Sequence, residues 1–92
     1  MTVDAQTKCE ITNTKGLHVR AATLLAKQAA EFDAVITVEH AGERANAKSI
    51  MNLLLLTAPM GSTVKVCATG NQADEAVGAI VSLIGNGFGE LT

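Results

Sequence analysis

Alternation of apolar and polar residues first becomes regular at Lys8-Cys9-Glu10-Ile11-Thr12, which places Cys9 and Ile11 on one face of a strand and the other three on the opposite face. Residues 1–7 are polar and without period, and read as a loose lead-in. After the turn-forming Asn13-Thr14-Lys15-Gly16 the spacing changes. Val19, Ala22, Leu25, Ala26, Ala29 and Phe32 recur at helical intervals in an Ala/Leu-rich stretch, predicting a helix that begins near His18 or Val19. The β-branched run from Ala34 to Glu39, a turn around His40-Ala41-Gly42 and a weaker strand from Glu43 to Ala47 predict a hairpin.

The segment Ile50 to Leu56 is too uniformly apolar for period to decide. Its Leu and Met residues, Ser49 in front as an N-cap and Pro59-Met60-Gly61 behind favour a short helix. From Ser62 to Thr69 alternation returns, with Val64, Val66 and Ala68 on one face and Thr63, Lys65 and Cys67 on the other. Ala76, Val77, Ile80, Leu83 and Ile84 form the stripe of a last helix, with Asp74 and Glu75 in its first turn and Gly85 at its end. The order is βαββαβα, without repeat or linker.

Length and composition narrow the function. Ninety-two residues suit a single domain, residues 1–92, with little room for a large catalytic cleft. There is no Trp or Tyr and only two Phe, so single-strand nucleic-acid binding by base stacking is disfavoured. A net charge of -2 argues against phosphate-backbone binding as well. No apolar run approaches the roughly 20 residues that span a bilayer, and the N-terminus has no signal-peptide pattern, so direct membrane insertion is not expected and a cytoplasmic protein is. Cys9 and Cys67 fall on opposite strand faces, which makes a disulfide between them hard to form. No His/Cys/Asp/Glu spacing suggests a metal, and no cofactor is implied.

The chemically informative stretch is Gly16-Leu17-His18-Val19-Arg20-Ala21-Ala22, a histidine at the junction of a loop and a helix start. The first turn of a helix has N–H groups without intrahelical partners and the positive end of the macrodipole, so a phosphoryl group on His18 would be stabilised there. The same positive end disfavours imidazolium. Arg20, with its fork of donors, suits phosphate oxygens, and Lys15 adds attraction at longer range. Imidazole needs no separate general base, because one ring nitrogen keeps a free lone pair while the other carries the proton. No carboxylate lies within several residues of His18, no Ser-His-Asp set is evident, and His40 is expected in an exposed turn. A histidine before a helix is also commonly a plain capping or loop residue, and Ser49 by itself is a plain N-cap.

These residues resemble the HPr phosphocarriers of the bacterial phosphoenolpyruvate-dependent phosphotransferase system. The likeness covers about residues 8–90. It rests on Gly16 to Ala22 against the family's Gly-Leu-His-Ala-Arg-Pro-Ala, on Ala47-Lys48-Ser49-Ile50-Met51, on the spacing between them and on the order of elements. The resemblance implies an α+β open-faced β-sandwich, a four-stranded antiparallel sheet covered on one face by three helices.

It further implies that Enzyme I phosphorylates Nδ1 of His18, with Arg20 as the active-site arginine, and that the group passes to a sugar-specific EIIA-type component or a regulatory acceptor. Such a protein is a phosphoryl carrier, expected as a monomer, rather than an independent catalyst. Ser49 corresponds to the family's regulatory serine, the target of HPr kinase/phosphorylase. Val19, Ile50, Met51 and Leu54 are candidates for an apolar docking patch; the alternative is that Ile50, Met51 and Leu54 are core. Ala21 stands where the family usually has proline, which leaves the first helical turn less pre-organised. Two alternatives remain at this level: a regulatory paralogue acting mainly through Ser49-dependent protein contacts, and a small α/β ligand-binding domain sharing only the layer pattern.

Overall fold

A computed structural model describes residues 3–90. The strands β1 (Ala5–Glu10), β2 (Val35–His40), β3 (Glu43–Asn46) and β4 (Thr63–Thr69) form one antiparallel sheet in the order β1-β4-β2-β3. The helices are α1 (Val19–Ala29), α2 (Ile50–Leu55) and α3 (Ala73–Gly85). α3 lies across β1, β4 and β2, α2 rests on β3, and α1 packs against the other two helices.

Strand alternation accounts for the layers. Ile36 and Val38 of β2, Ala45 of β3 and Val64, Val66 and Ala68 of β4 all face the helices and are buried. Residues of the opposite face stay partly exposed, and there Glu39 pairs with Arg44 and Lys65. Cys9 lies opposite Val64 on the covered side, whereas Cys67 is on the open side, and both are free thiols. Burial pushes the Cys9 thiol above its ordinary value.

The core is built largely from small side chains. Ala21, Ala22, Leu25, Ala26 and Ala29 form the buried face of α1, so its backbone approaches its neighbours closely. Val19, expected to begin this stripe, is instead 62% exposed: it is the first residue of α1, and the buried face starts two residues later at Ala21.

Three local expectations are corrected. The first strand begins at Ala5 rather than Lys8, because β4 is long enough to pair Ala5 with Ala68 and Thr7 with Val66; tertiary pairing extends the strand into a polar segment. The hairpin turn is only Ala41-Gly42, both at positive φ (50° and 84°), the twist that a two-residue connection between antiparallel strands requires. His40 is therefore the last residue of β2, half-buried, with Nδ1 at 3.0 Å from the Leu56 carbonyl oxygen at the end of α2. After α3, a 3₁₀ turn at Gly87–Gly89 returns the chain toward β1, with Phe88 at φ 57° and buried as an anchor.

The loop before α1 is held by backbone. Leu17 N–H donates to the Ala58 carbonyl at 2.9 Å, and Leu17 itself is buried. Gly16, at φ +66°, lies so close to this segment that a Cβ would sit 2.5 Å from the Ala58 oxygen and 2.9 Å from Pro59 Cα. Gly16→Ala therefore meets both an unfavourable φ and fixed backbone. It is expected to destabilise the protein by more than about 1 kcal/mol, read as a lower urea midpoint at unchanged m-value; an unchanged midpoint would show that the loop is not so held.

Candidate functional site

His18 occupies the N-cap position of α1 in extended conformation (φ -88°, ψ -178°), and its side chain does not cap the helix. The first bond of the helix runs from Ala22 N–H to the His18 carbonyl at 2.8 Å. The N–H groups of Val19, Arg20 and Ala21 thus precede the hydrogen-bonded ladder, and no acceptor among the described residues receives them. Ala21 is fully buried, and it contributes an N–H that proline would lack. No acidic side chain stands in this first turn to neutralise the helix end.

Arg20 is exposed and forms no hydrogen bond or ion pair among the described residues, leaving its guanidinium available. Lys15 is also exposed, in the loop before it.

Sequence spacing gave no hint of the residue that touches the ring. His18 Nε2 lies 2.8 Å from Oε2 of Glu90, whose side chain is only 10% exposed against 26% for the histidine. No carboxylate lies near His18 in the sequence, and the fold brings one to it from 72 residues away. The other carboxylate oxygen accepts a 2.7 Å hydrogen bond from Nδ2 of Asn13, which also donates to the Gly16 carbonyl at 2.8 Å. Asn13, read from the sequence as a turn residue, is 2% exposed and supports both the loop and the carboxylate. Its Oδ1 is buried without a hydrogen-bond partner, so the amide is oriented by the acceptors on its nitrogen side.

Burial alone would raise the Glu90 carboxyl. The hydrogen bonds from Asn13 and His18 and the positive charges of His18 and Arg20 outweigh it and hold the group below its ordinary value.

Ser49 is the N-cap of α2, its Oγ accepting the Asn52 N–H at 3.2 Å. The next two residues are apolar and exposed, Ile50 at 37% and Met51 at 69%. Leu54, expected with them, is half-buried and packs against the core, because it flanks the inward-facing Leu53; Leu55 is the exposed leucine of this helix, at 74%. Since α1 packs on α2, His18, Arg20 and Ser49 begin neighbouring helices. No helix of the described residues is long and apolar enough to cross a membrane.

The open four-stranded sheet with three helices on one face matches the fold of solved HPr phosphocarriers. HPr from Thermoanaerobacter tengcongensis superposes with a TM-score of 0.91 at 40% identity, covering 96% of this chain and 99% of that one. Residues 5–86 match the family described as the PTS HPr component phosphorylation site. Phosphocarrier protein NPr of Shewanella violacea is 45% identical over 80 residues, 87% of this chain and 88% of that protein. Phosphocarrier protein NPr of Escherichia coli K12 is 39% identical over 82 residues, 88% and 91% of the two chains. The chain belongs to the HPr family of phosphocarrier proteins of the phosphotransferase system.

Because the folded Glu90 carboxyl titrates below its unfolded value, its contribution to stability is complete above the ordinary carboxylate range. It is lost as pH falls through the lowered folded value. Urea unfolding between about pH 7 and about pH 3 should therefore show a steeper loss of stability for the wild type than for Glu90→Gln. Parallel profiles would show that the carboxylate is not held as described.

Proposed function

We propose that this phosphocarrier takes its phosphoryl group from phospho-Enzyme I onto Nδ1 of His18 and passes it, in the cytoplasm and as a monomer, to an EIIA-type or regulatory acceptor. The observation that carries the reading is the placement of His18 at the start of α1, its side chain uncommitted to capping and three unpartnered N–H groups directly after it. A phosphoryl dianion bonded to this ring is an anion at a helix N-terminus, the arrangement that the macrodipole and the free donors favour.

Arg20 supplies the mobile part of the site. Its unpaired guanidinium can follow the oxygens as charge shifts between donor and acceptor. Val19, 62% exposed, together with Ile50 and Met51, offers partners an apolar contact on the two helices that carry His18 and Ser49. Leu54 contributes to this contact only at its exposed edge.

Ser49 is proposed as a second phosphorylation site, for a kinase of the HPr kinase/phosphorylase type. The hydroxyl is only partly buried, and a phosphate there adds about -1.5 to -2 charge at a position already suited to an acceptor oxygen. The fold tolerates the change, and an acidic partner surface meets a new repulsive charge beside Ile50 and Met51. A role carried mainly by Ser49-dependent contacts is the second reading, supported by the exposure of these two residues.

Incubation with active cognate Enzyme I and phosphoenolpyruvate should give acid-labile label on the wild type and none on His18→Ala. Arg20→Ala should fold normally and accept label roughly tenfold or more slowly, less than the loss typical of enclosed oxyanion donors because this arginine is solvent-exposed. Unlabelled wild type, or labelled His18→Ala, would overturn the assignment.

For the regulatory site, Ser49→Ala should cost about 1 kcal/mol through the lost cap and leave labelling of His18 intact. Authentic phosphoserine at Ser49 should weaken Enzyme I binding in calorimetry. Equal affinity with and without the phosphate would remove the regulatory assignment.

A further inference from the structure

We propose that Glu90, held by Asn13, is a positioning residue for phosphoryl transfer: it keeps the single proton of neutral His18 on Nε2, leaves Nδ1 as the nucleophile, and balances the positive charge the ring acquires when phosphorylated. This rests on the reading that His18 accepts the phosphoryl group, and adds to it a carboxylate 72 residues away in the chain.

The proton's location follows from the donors and acceptors. An ionised carboxylate can only accept, so the hydrogen in the 2.8 Å contact between Nε2 and Oε2 belongs to the ring. The same logic fixes Asn13. With its amide turned the other way, Oδ1 would face the Gly16 carbonyl and the carboxylate, acceptors both; instead Nδ2 serves the two and Oδ1 is left without a partner. A buried acceptor left unsatisfied is unfavourable, so holding the carboxylate and the loop carbonyl outweighs it.

The segment that delivers Glu90 is itself firmly seated. Phe88 is 3% exposed, and the Thr12 hydroxyl donates to the Ile84 carbonyl at 3.3 Å, tying the end of α3 to the loop that carries Asn13. Gly87, at φ +63°, lies against Thr12 and Asn13, where a Cβ would be within 3.5 Å of the Thr12 hydroxyl. Glu90 N–H donates to the Gly87 carbonyl at 3.0 Å. The carboxylate thus reaches the histidine from a fixed turn.

The transfer step balances without moving a proton. The Nδ1 lone pair attacks phosphorus, the bond from phosphorus to the donor atom that carried it breaks, and its electron pair stays with that atom. His18, still protonated at Nε2, becomes a cationic ring bearing the phosphoryl group, and Glu90 lies at the nitrogen where that charge is shared. In onward transfer the leaving group is then neutral imidazole rather than imidazolate. A carboxylate that retains the Nε2 proton therefore assists both acceptance and donation.

The experiment compares wild type, Glu90→Gln and Glu90→Ala by nitrogen-15 NMR of the His18 ring and by rates of acceptance from Enzyme I and of onward transfer. Glutamine keeps an acceptor but no charge; alanine keeps neither. In the wild type the Nε2 proton should be present and protected from solvent exchange, in Glu90→Ala exchange should be fast, and both variants should transfer about tenfold more slowly in at least one direction, the scale of one lost charge-assisted bond. Transfer by both variants at wild-type rate, a wild-type proton on Nδ1, or Nε2 exchange equally fast in wild type and Glu90→Ala would each overturn the role of Glu90. Failure of the wild type to accept label would instead overturn the carrier reading itself and the transfer role with it.

Discussion

The site depends on one close approach, that of the loop before α1 to the chain after α2. The Ala58 carbonyl receives the Leu17 N–H, and the space beside it admits no side chain at Gly16. This contact sets where α1 begins and the direction in which its unsatisfied N–H groups point. It also brings the loop within reach of Asn13, whose amide closes on the Gly16 carbonyl. Backbone fixed by backbone is stiff, and that stiffness holds the half-buried His18, the proposed phosphoryl acceptor, against Glu90.

Around His18 the electrostatics are divided between two sides. The start of α1 and Arg20 present positive character where an anion would sit, while Glu90 presents a negative charge to Nε2. The two act on the ring with opposite sign. A ring carrying an anion at one nitrogen and a proton at the other is matched at both ends by this arrangement. Composition could not have suggested it, since the chain's net charge of -2 says nothing about where individual charges face.

Much of the fold was legible because local and tertiary preferences agree. The Ala/Leu face of α1, the alternation in β4, the Ser49 cap and the acidic first turn of α3 each appear where period and capping chemistry place them. The failures share a cause. Ala5 to Thr7 are strand only because β4 pairs with them, and His40 belongs to β2 because a two-residue turn suffices at Ala41-Gly42. Glu90 was the costliest omission. Its contact with His18 spans most of the chain and is delivered by a turn in which Gly87, Phe88 and Gly89 all take positive φ. A lone aromatic between two glycines after a helix was the available signal, and helical periodicity has no means of reading it.

The span between His18 and Glu90 also orders events in time. α1 and its open N–H groups involve nearby residues and can form early, whereas the contact at Nε2 requires that β4 has paired and α3 has docked. A partly folded chain would present the histidine and the helix start without the carboxylate. A segment 72 residues further along the chain thus completes the surroundings of the histidine, and the finished site is a property of the whole fold rather than of the motif that marks it.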